Sequence, residues 1–195
     1  MEIIVLGAGA IGSLYGAKLA ARNEVTLIGR AEHVSTINSH GLRIEGLESQ
    51  IVRVRAATTL DYLGPEALIV LTTKVPDSAA ALHPIARLVR EDTTILCLQN
   101  GIGSERVARA ALRDRGTVLR GITQFGAIFK SPGVIQFMAR GYTLIERHER
   151  SARLAGDDAA NGAARRRPRA PARPFGARGT RDRTASRRSR PAVPA

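Results

Sequence analysis

The sequence predicts an α/β chain: a doubly wound, mostly parallel sheet over residues 1–150, followed by a disordered tail rich in Arg, Ala and Pro over 151–195. Three observations carry this prediction. The chain opens on an apolar strand, Glu2 to Leu6, that runs directly into Gly7-Ala8-Gly9-Ala10-Ile11-Gly12. Apolar strands then alternate with helical stretches as far as Arg113. Finally, the composition changes near residue 150. Residues 1–150 hold 18 Lys and Arg against 14 Asp and Glu, a net of +4, whereas residues 151–195 hold 12 against 3, a net of +9, within the +13 of the whole chain.

The first unit reads as strand, glycine loop, helix from Ser13 to Arg22 and second strand from Val25 to Ile28. A GxGxxG in that context predicts a dinucleotide site. Gly7 permits the tight turn, Gly9 lets the backbone approach a pyrophosphate, and Gly12 lets the helix pack closely on the strand. The helix N-terminus, with unpaired N–H groups and the positive end of its dipole, favours an anion there.

The residue closing the second strand separates the two nicotinamide cofactors. A carboxylate there binds a free ribose 2′-hydroxyl, whereas an Arg accommodates a 2′-phosphate. The strand ends Ile28-Gly29-Arg30, which predicts NADP(H), because a guanidinium grips phosphate bidentately and a carboxylate repels it. Glu32 is the rival acidic residue, but it suits the first turn of the helix expected from Ala31 to His40.

Beyond that helix, Leu42 to Glu45 and Gln50 to Arg55 alternate in the manner of a hairpin or paired strands, with turn signals at Gly41 and Gly46. Leu68 to Leu71 is a continuous apolar run, as a parallel strand covered on both faces requires. A helix from about Asp77 to Val89 follows, then a buried strand from Thr94 to Leu98 and a helix to about Arg113 with Ser104 as its N-cap. Val118 to Thr123, Gly126 to Phe129, Val134 to Met138 and Tyr142 to Ile145 read as late strands, with Ser131-Pro132-Gly133 as a turn.

In open sheets of this kind ligands bind beyond the carboxyl ends of the strands. Thr72-Thr73-Lys74, Asn100 and the stretch from Thr123 to Ala127 therefore converge near a bound dinucleotide. The lone Cys97, set among Ile95, Leu96 and Leu98, reads as a buried structural thiol. One cysteine excludes an internal disulfide framework, and no apolar run approaches the roughly 20 residues a membrane helix needs. A cytoplasmic, soluble chain is the expectation, without a membrane partner. His33, His40, His83 and His148 show no metal-ligand spacing, so no metal is expected and all four read as structural or solvated.

In their order, these residues resemble the N-terminal domain of the ketopantoate reductase (2-dehydropantoate 2-reductase) family over roughly residues 1–146. The resemblance is carried by the opening Gly-Ala-Gly-Ala-Ile-Gly, Arg30, Thr73-Lys74, Leu98-Gln99-Asn100-Gly101-Ile102-Gly103, Gly121-Ile122-Thr123, Gly126-Ala127 and Pro132-Gly133-Val134. It implies NADPH-dependent reduction of 2-dehydropantoate to pantoate, in pantothenate biosynthesis. Gly7, Ala8, Gly9, Ala10, Ile11 and Gly12 would hold the pyrophosphate, Arg30 the 2′-phosphate, and Thr73 and Lys74 the ribose side or the mouth of the site. Ala127 would line the nicotinamide pocket, and Asn100 would touch both cofactor and substrate.

The developing oxyanion calls for a positioned donor such as a Lys. In the family that general acid belongs to a second, helical domain. The final Lys here is Lys130, and nothing from 151 to 195 supplies an equivalent. That catalytic domain is therefore expected to be missing.

The tail holds 12 Arg, 12 Ala, 5 Pro and 4 Gly among its 45 residues, with only Leu154, Phe175 and Val193 as large apolar side chains, so it cannot build a core. Arg, Ala, Pro and Gly are what GC-rich codons specify. An out-of-frame reading of a GC-rich gene, switching between about 146 and 156, accounts for this composition; a tail that evolved as such is the competing account.

Four functions remain open: the reductase itself, an NADP-binding remnant without turnover, a reductase of another 2-keto acid or imine, and, remotely, nucleic-acid binding through Arg165-Arg166-Arg167 and Arg187-Arg188. A small 2-keto acid is the expected partner. An exposed apolar docking face leaves self-association into a homo-oligomer open.

Overall fold

A computed structural model describes residues 1–101 and 103–148 of the chain, so the expectations for 151–195 lie outside the described residues. In chain order the elements are β1 (Glu2–Leu6), α1 (Ala10–Leu19), β2 (Glu24–Ile28), α2 (Ala31–His40), β3 (Leu42–Gly46), β4 (Gln50–Val52), β5 (Arg55–Ala57) and β6 (Leu68–Leu71). There follow α3 (Ser78–Leu82), β7 (Thr94–Cys97), α4 (Ser104–Leu112), β8 (Thr117–Thr123), β9 (Gly126–Ser131), β10 (Val134–Ala139) and β11 (Thr143–Ile145).

Seven strands form the main sheet in the order β11-β8-β7-β6-β1-β2-β5, parallel throughout except for β11, which runs antiparallel to β8. The first half of the chain builds outward from β1 to β2 and β5. The second half starts again on the other flank of β1, with β6. The strand order thus reverses between β1 and β6, where an open α/β sheet leaves a crevice beyond its strand ends.

Alternate residues of β1 feed two cores. Ile3 and Val5 join Leu14 and Ala17 of α1, Ile37 of α2 and Val70 and Leu96 of the neighbouring strands. Ile4 and Leu6 join Leu82, Ile85, Ala108 and Leu112 beneath α3 and α4. Burial on both faces explains why the central strands read as unbroken apolar runs. Cys97 is fully buried in the second core, as the sequence implied.

Four strands depart from the expectation of a single sheet. β4, β3, β10 and β9 form a separate sheet in that order, with β3 parallel to β10 and the other two pairings antiparallel. Its apolar side, Leu42, Ile44, Ile135 and Phe137, closes over α1 in the first core. The run from Gln50 to Arg55 is accordingly split: β4 stays in the small sheet, while Arg55 begins β5 at the edge of the main one.

Three further local expectations are corrected. The first helix begins at Ala10 inside the glycine loop and ends at Leu19, rather than spanning Ser13 to Arg22. The single helix from Asp77 to Val89 is instead α3 between two short 3-10 segments, Val75–Asp77 and His83–Ile85, each containing a proline whose missing N–H prevents a regular ladder. Gly103, at φ 88°, caps α4; Ser104 is the first helical residue and makes no capping hydrogen bond. The strand from Thr94 stops at Cys97, and α2 occupies the span expected for it.

Candidate functional site

Two loops leave the crevice between β1 and β6, and they touch. At Gly7, φ is 110°, and a Cβ there would lie 2.6 Å from the Thr73 backbone nitrogen. At Gly12 a Cβ would drive into the Gly7 carbonyl oxygen and lie 2.5 Å from Thr72 Oγ1. Thr72 Oγ1 donates to that same carbonyl at 2.8 Å, and the Thr72 amide donates to the Leu6 carbonyl at 3.0 Å. The glycine loop is also pinned to β2, because the Gly7 and Ala8 amides both donate to the Ile28 carbonyl, at 3.1 and 2.8 Å.

Gly9 is different in kind. A Cβ placed on it meets nothing within 4 Å. Gly9 caps α1 with no side-chain hydrogen bond, and the first turn carries no acidic residue. The leading N–H groups of a helix have no intrahelical partner, so this turn presents donors and a positive dipole end to open space beside an unhindered backbone. These residues fit an anionic group such as a pyrophosphate.

Arg30 leaves the end of β2 in extended conformation (φ −72°, ψ 149°) and precedes α2, with Glu32 in the first turn of that helix as expected. Lys74 likewise leaves the β6 end extended (φ −66°, ψ 148°), and both cations are exposed. Among the described residues neither has an ion-pair partner. Asn100 is exposed after β7, which lies beside β6 in register Leu71 to Cys97. The glycine loop, Arg30, Thr73, Lys74 and Asn100 thus all sit beyond the carboxyl ends of adjacent parallel strands. Ala127 does not share that row: it lies in β9 of the small sheet, opposite Phe137, and packs on the first core.

Sequence reasoning missed the polar network beneath these loops. The Gln99 side chain, 9% exposed, donates through Nε2 to Ser78 Oγ at 2.6 Å. Ser78 Oγ donates in turn to the Lys74 carbonyl at 3.2 Å and lies 3.3 Å from Thr73 Oγ1. Gln99 Oε1 is buried with no hydrogen-bond partner among the described residues, a state that costs about 1–3 kcal/mol. The available signal was a glutamine closing an otherwise apolar strand run.

A second missed link is His33. Its Nδ1 accepts the Gly133 amide at 2.8 Å, which leaves Nε2 as the protonated nitrogen, donating to Ser13 Oγ at 3.0 Å. Burial holds its pKa below the ordinary histidine value of 6.5.

A mostly parallel, doubly wound sheet with a glycine loop at its reversal point defines a Rossmann-type domain. The model of the family "Ketopantoate reductase PanE/ApbA" matches residues 3–150, and the chain belongs to that family. A 2-dehydropantoate 2-reductase of Pyrococcus horikoshii is 47% identical over 146 residues, 74% of this chain and 47% of the relative. One from Mesorhizobium japonicum is 35% identical over 136 residues, 68% of this chain and 42% of the relative.

Among solved structures, a PanE/ApbA family ketopantoate reductase from Ralstonia eutropha superposes with a TM-score of 0.76 at 30% identity, covering 83% of this chain and 54% of that one. A D-mandelate dehydrogenase in ternary complex with NADH and anilino(oxo)acetate gives 0.73 at 30% identity, covering 84% and 55%. The chain spans about half the length of the curated relatives it matches.

Proposed function

We propose that this chain binds NADP(H) at the glycine loop and forms the cofactor-binding half of a reductase that converts 2-dehydropantoate to pantoate. The observation that carries the reading is the open backbone at Gly9, ahead of a helix turn without an acidic residue, flanked at the end of the neighbouring strand by Arg30, which has no ion-pair partner among the described residues. In this reading the backbone of Gly7, Ala8, Gly9, Ala10, Ile11 and Gly12 holds the pyrophosphate. Arg30 grips the 2′-phosphate as a planar fork. Thr73 and Lys74 border the ribose and Asn100 faces cofactor and substrate, while Ala127, outside that row at the start of β9 just past the β8 end, lines the nicotinamide pocket from the side of the small sheet. Held there, NADPH would supply the hydride that such a reduction needs. Lys74 and Asn100 bring N–H donors to the mouth of the site, where oxyanion charge develops.

The partner in this reading is a small 2-keto acid, and the protein works in the cytoplasm. No helix among the described residues is long and apolar enough to cross a membrane. The D-mandelate dehydrogenase likeness favours a second reading, in which the chain serves another 2-keto acid with NADH.

Calorimetric titration with NADPH and NADH tests the cofactor assignment. NADPH is expected to bind at least about tenfold tighter, as a charge-assisted phosphate contact implies. Equal affinities would remove NADP(H) in favour of the second reading, and failure to bind either would remove both. Following NADPH oxidation on addition of 2-dehydropantoate separates a reductase from a cofactor-binding chain without turnover.

A further inference from the structure

β6 and β7 lie side by side and parallel, so the loops carrying Lys74 and Asn100 leave the sheet together. Backbone pairing between them ends one step beyond the strands, where the Leu98 amide donates to the Leu71 carbonyl at 3.0 Å. Past that point a side chain makes the connection. Gln99 Nε2 reaches Ser78 Oγ, and Ser78 Oγ holds the Lys74 carbonyl. Ser78 is fully buried, and Gln99 adjoins Asn100 in the chain.

The glutamine fills this position at a cost. Among the described residues its Oε1 is buried without a donor, and an apolar side chain of the same length would pack there without that penalty. What Met or Leu cannot supply is the N–H to Ser78. A buried polar group that lowers stability beside a ligand site is where function and stability conflict. We propose that Gln99 is a positioning residue, tying the Lys74 loop to the Asn100 loop through Ser78 and so fixing the two donors relative to a bound nicotinamide dinucleotide. The inference rests on the nucleotide site proposed above.

The test is a double-mutant cycle on the full chain with Gln99→Met and Lys74→Ala, reading Kd for NADPH together with Tm. Gln99→Met is expected to keep or raise Tm while weakening NADPH about three- to tenfold. In the Lys74→Ala background it should add a clearly smaller loss, because the part of its effect that runs through the Lys74 side chain is already gone. An unchanged Kd, or the same loss in both backgrounds, overturns the proposal and makes Gln99 a core residue. Ser78→Ala breaks the same tie from its other side and should weaken NADPH by a similar factor, with a lower Tm because Gln99 Nε2 loses its acceptor; its Kd keeps the test decisive if Gln99→Met does not fold.

Amide hydrogen exchange without nucleotide provides a separate reading. Residues 72–77 and 99–101 should exchange faster in Gln99→Met, with β1 and α1 unchanged. Unaltered protection overturns the tie itself. Absence of NADPH and NADH binding by the wild-type chain overturns the nucleotide role instead, so the two failures are distinguishable.

Discussion

His33 and Gly133 are joined by a 2.8 Å hydrogen bond in which the glycine amide donates to Nδ1, and this bond fastens the turn between β9 and β10 to α2. The other ring nitrogen donates to Ser13 in the turn of α1 that follows the glycine loop. One neutral imidazole therefore clamps the small sheet onto the helix whose N-terminus faces the cradle. A proton on Nδ1 would leave two N–H groups facing each other.

This clamp gives the fold a pH dependence of definite sign. Because the folded pKa of His33 is lowered from 6.5 by burial, the unfolded chain takes up the proton first. Stability should be fully present above 6.5 and fall as pH drops from there through the folded value. Urea midpoints at pH 7.5 and 5.5 will show the loss, and His33→Leu should flatten it. Glu45, held below the ordinary carboxylate range by its bond to Lys130, and Asp92, held low by Arg90, act only in more acidic solution. An unchanged midpoint between the two pH values would refute the clamp as the source.

Glycines of the opening loop should separate by what surrounds them. Gly12→Ala forces a Cβ against the Gly7 carbonyl and Thr72, so it should lower Tm and cost on the order of 1–3 kcal/mol. Gly9→Ala meets open space, so Tm should be unchanged while NADPH affinity falls at least about tenfold, since the methyl occupies the approach of the ligand. Thermal scans beside calorimetry measure both. A Gly9→Ala chain with wild-type affinity would rule out the cradle.

Arg30→Ala should weaken NADPH about tenfold or more and leave NADH nearly unchanged, because only NADPH carries the 2′-phosphate. The Arg30 guanidinium has no ion-pair partner among the described residues, so Tm should not move. Equal losses for both nucleotides would assign Arg30 to general charge attraction.

Cys97 should resist modification while the protein is folded. Burial, with Glu105 nearby, pushes its thiol up to about 12, so almost no thiolate exists at neutral pH. Labelling with a disulfide reagent should await denaturant and track global unfolding. Rapid labelling of the native chain would place Cys97 outside the core.

The main sheet and the row of strand-end residues were legible because parallel strands buried on both faces leave unbroken apolar runs, as at Leu68–Leu71 and Thr94–Cys97. The placement of Arg30 and the glycine loop at the ends of β2 and β1 was legible because it is set locally, within one βαβ unit. The small sheet was not. Its central pairing sets Arg43 to Gly46 against Val134 to Phe137, and nothing local in either segment names so distant a partner. Gln99 and Ser78 escaped for a related reason, since their bond depends on α3 folding back beside the β7 end.

That same pairing also sets an order on folding. β1, α1 and β2 can assemble as soon as they exist, but Phe137, which completes the core over α1, enters only with β10. During synthesis the helix behind the glycine loop waits for nearly the whole domain to emerge before the β9 and β10 part of its cover is in place. Long-range closure of this kind is slow, and the edge of β3 stays available for mispairing in the interval. A chain stopped before Val134 would hold every residue of the glycine loop and still leave α1 without the lid that fixes it in place.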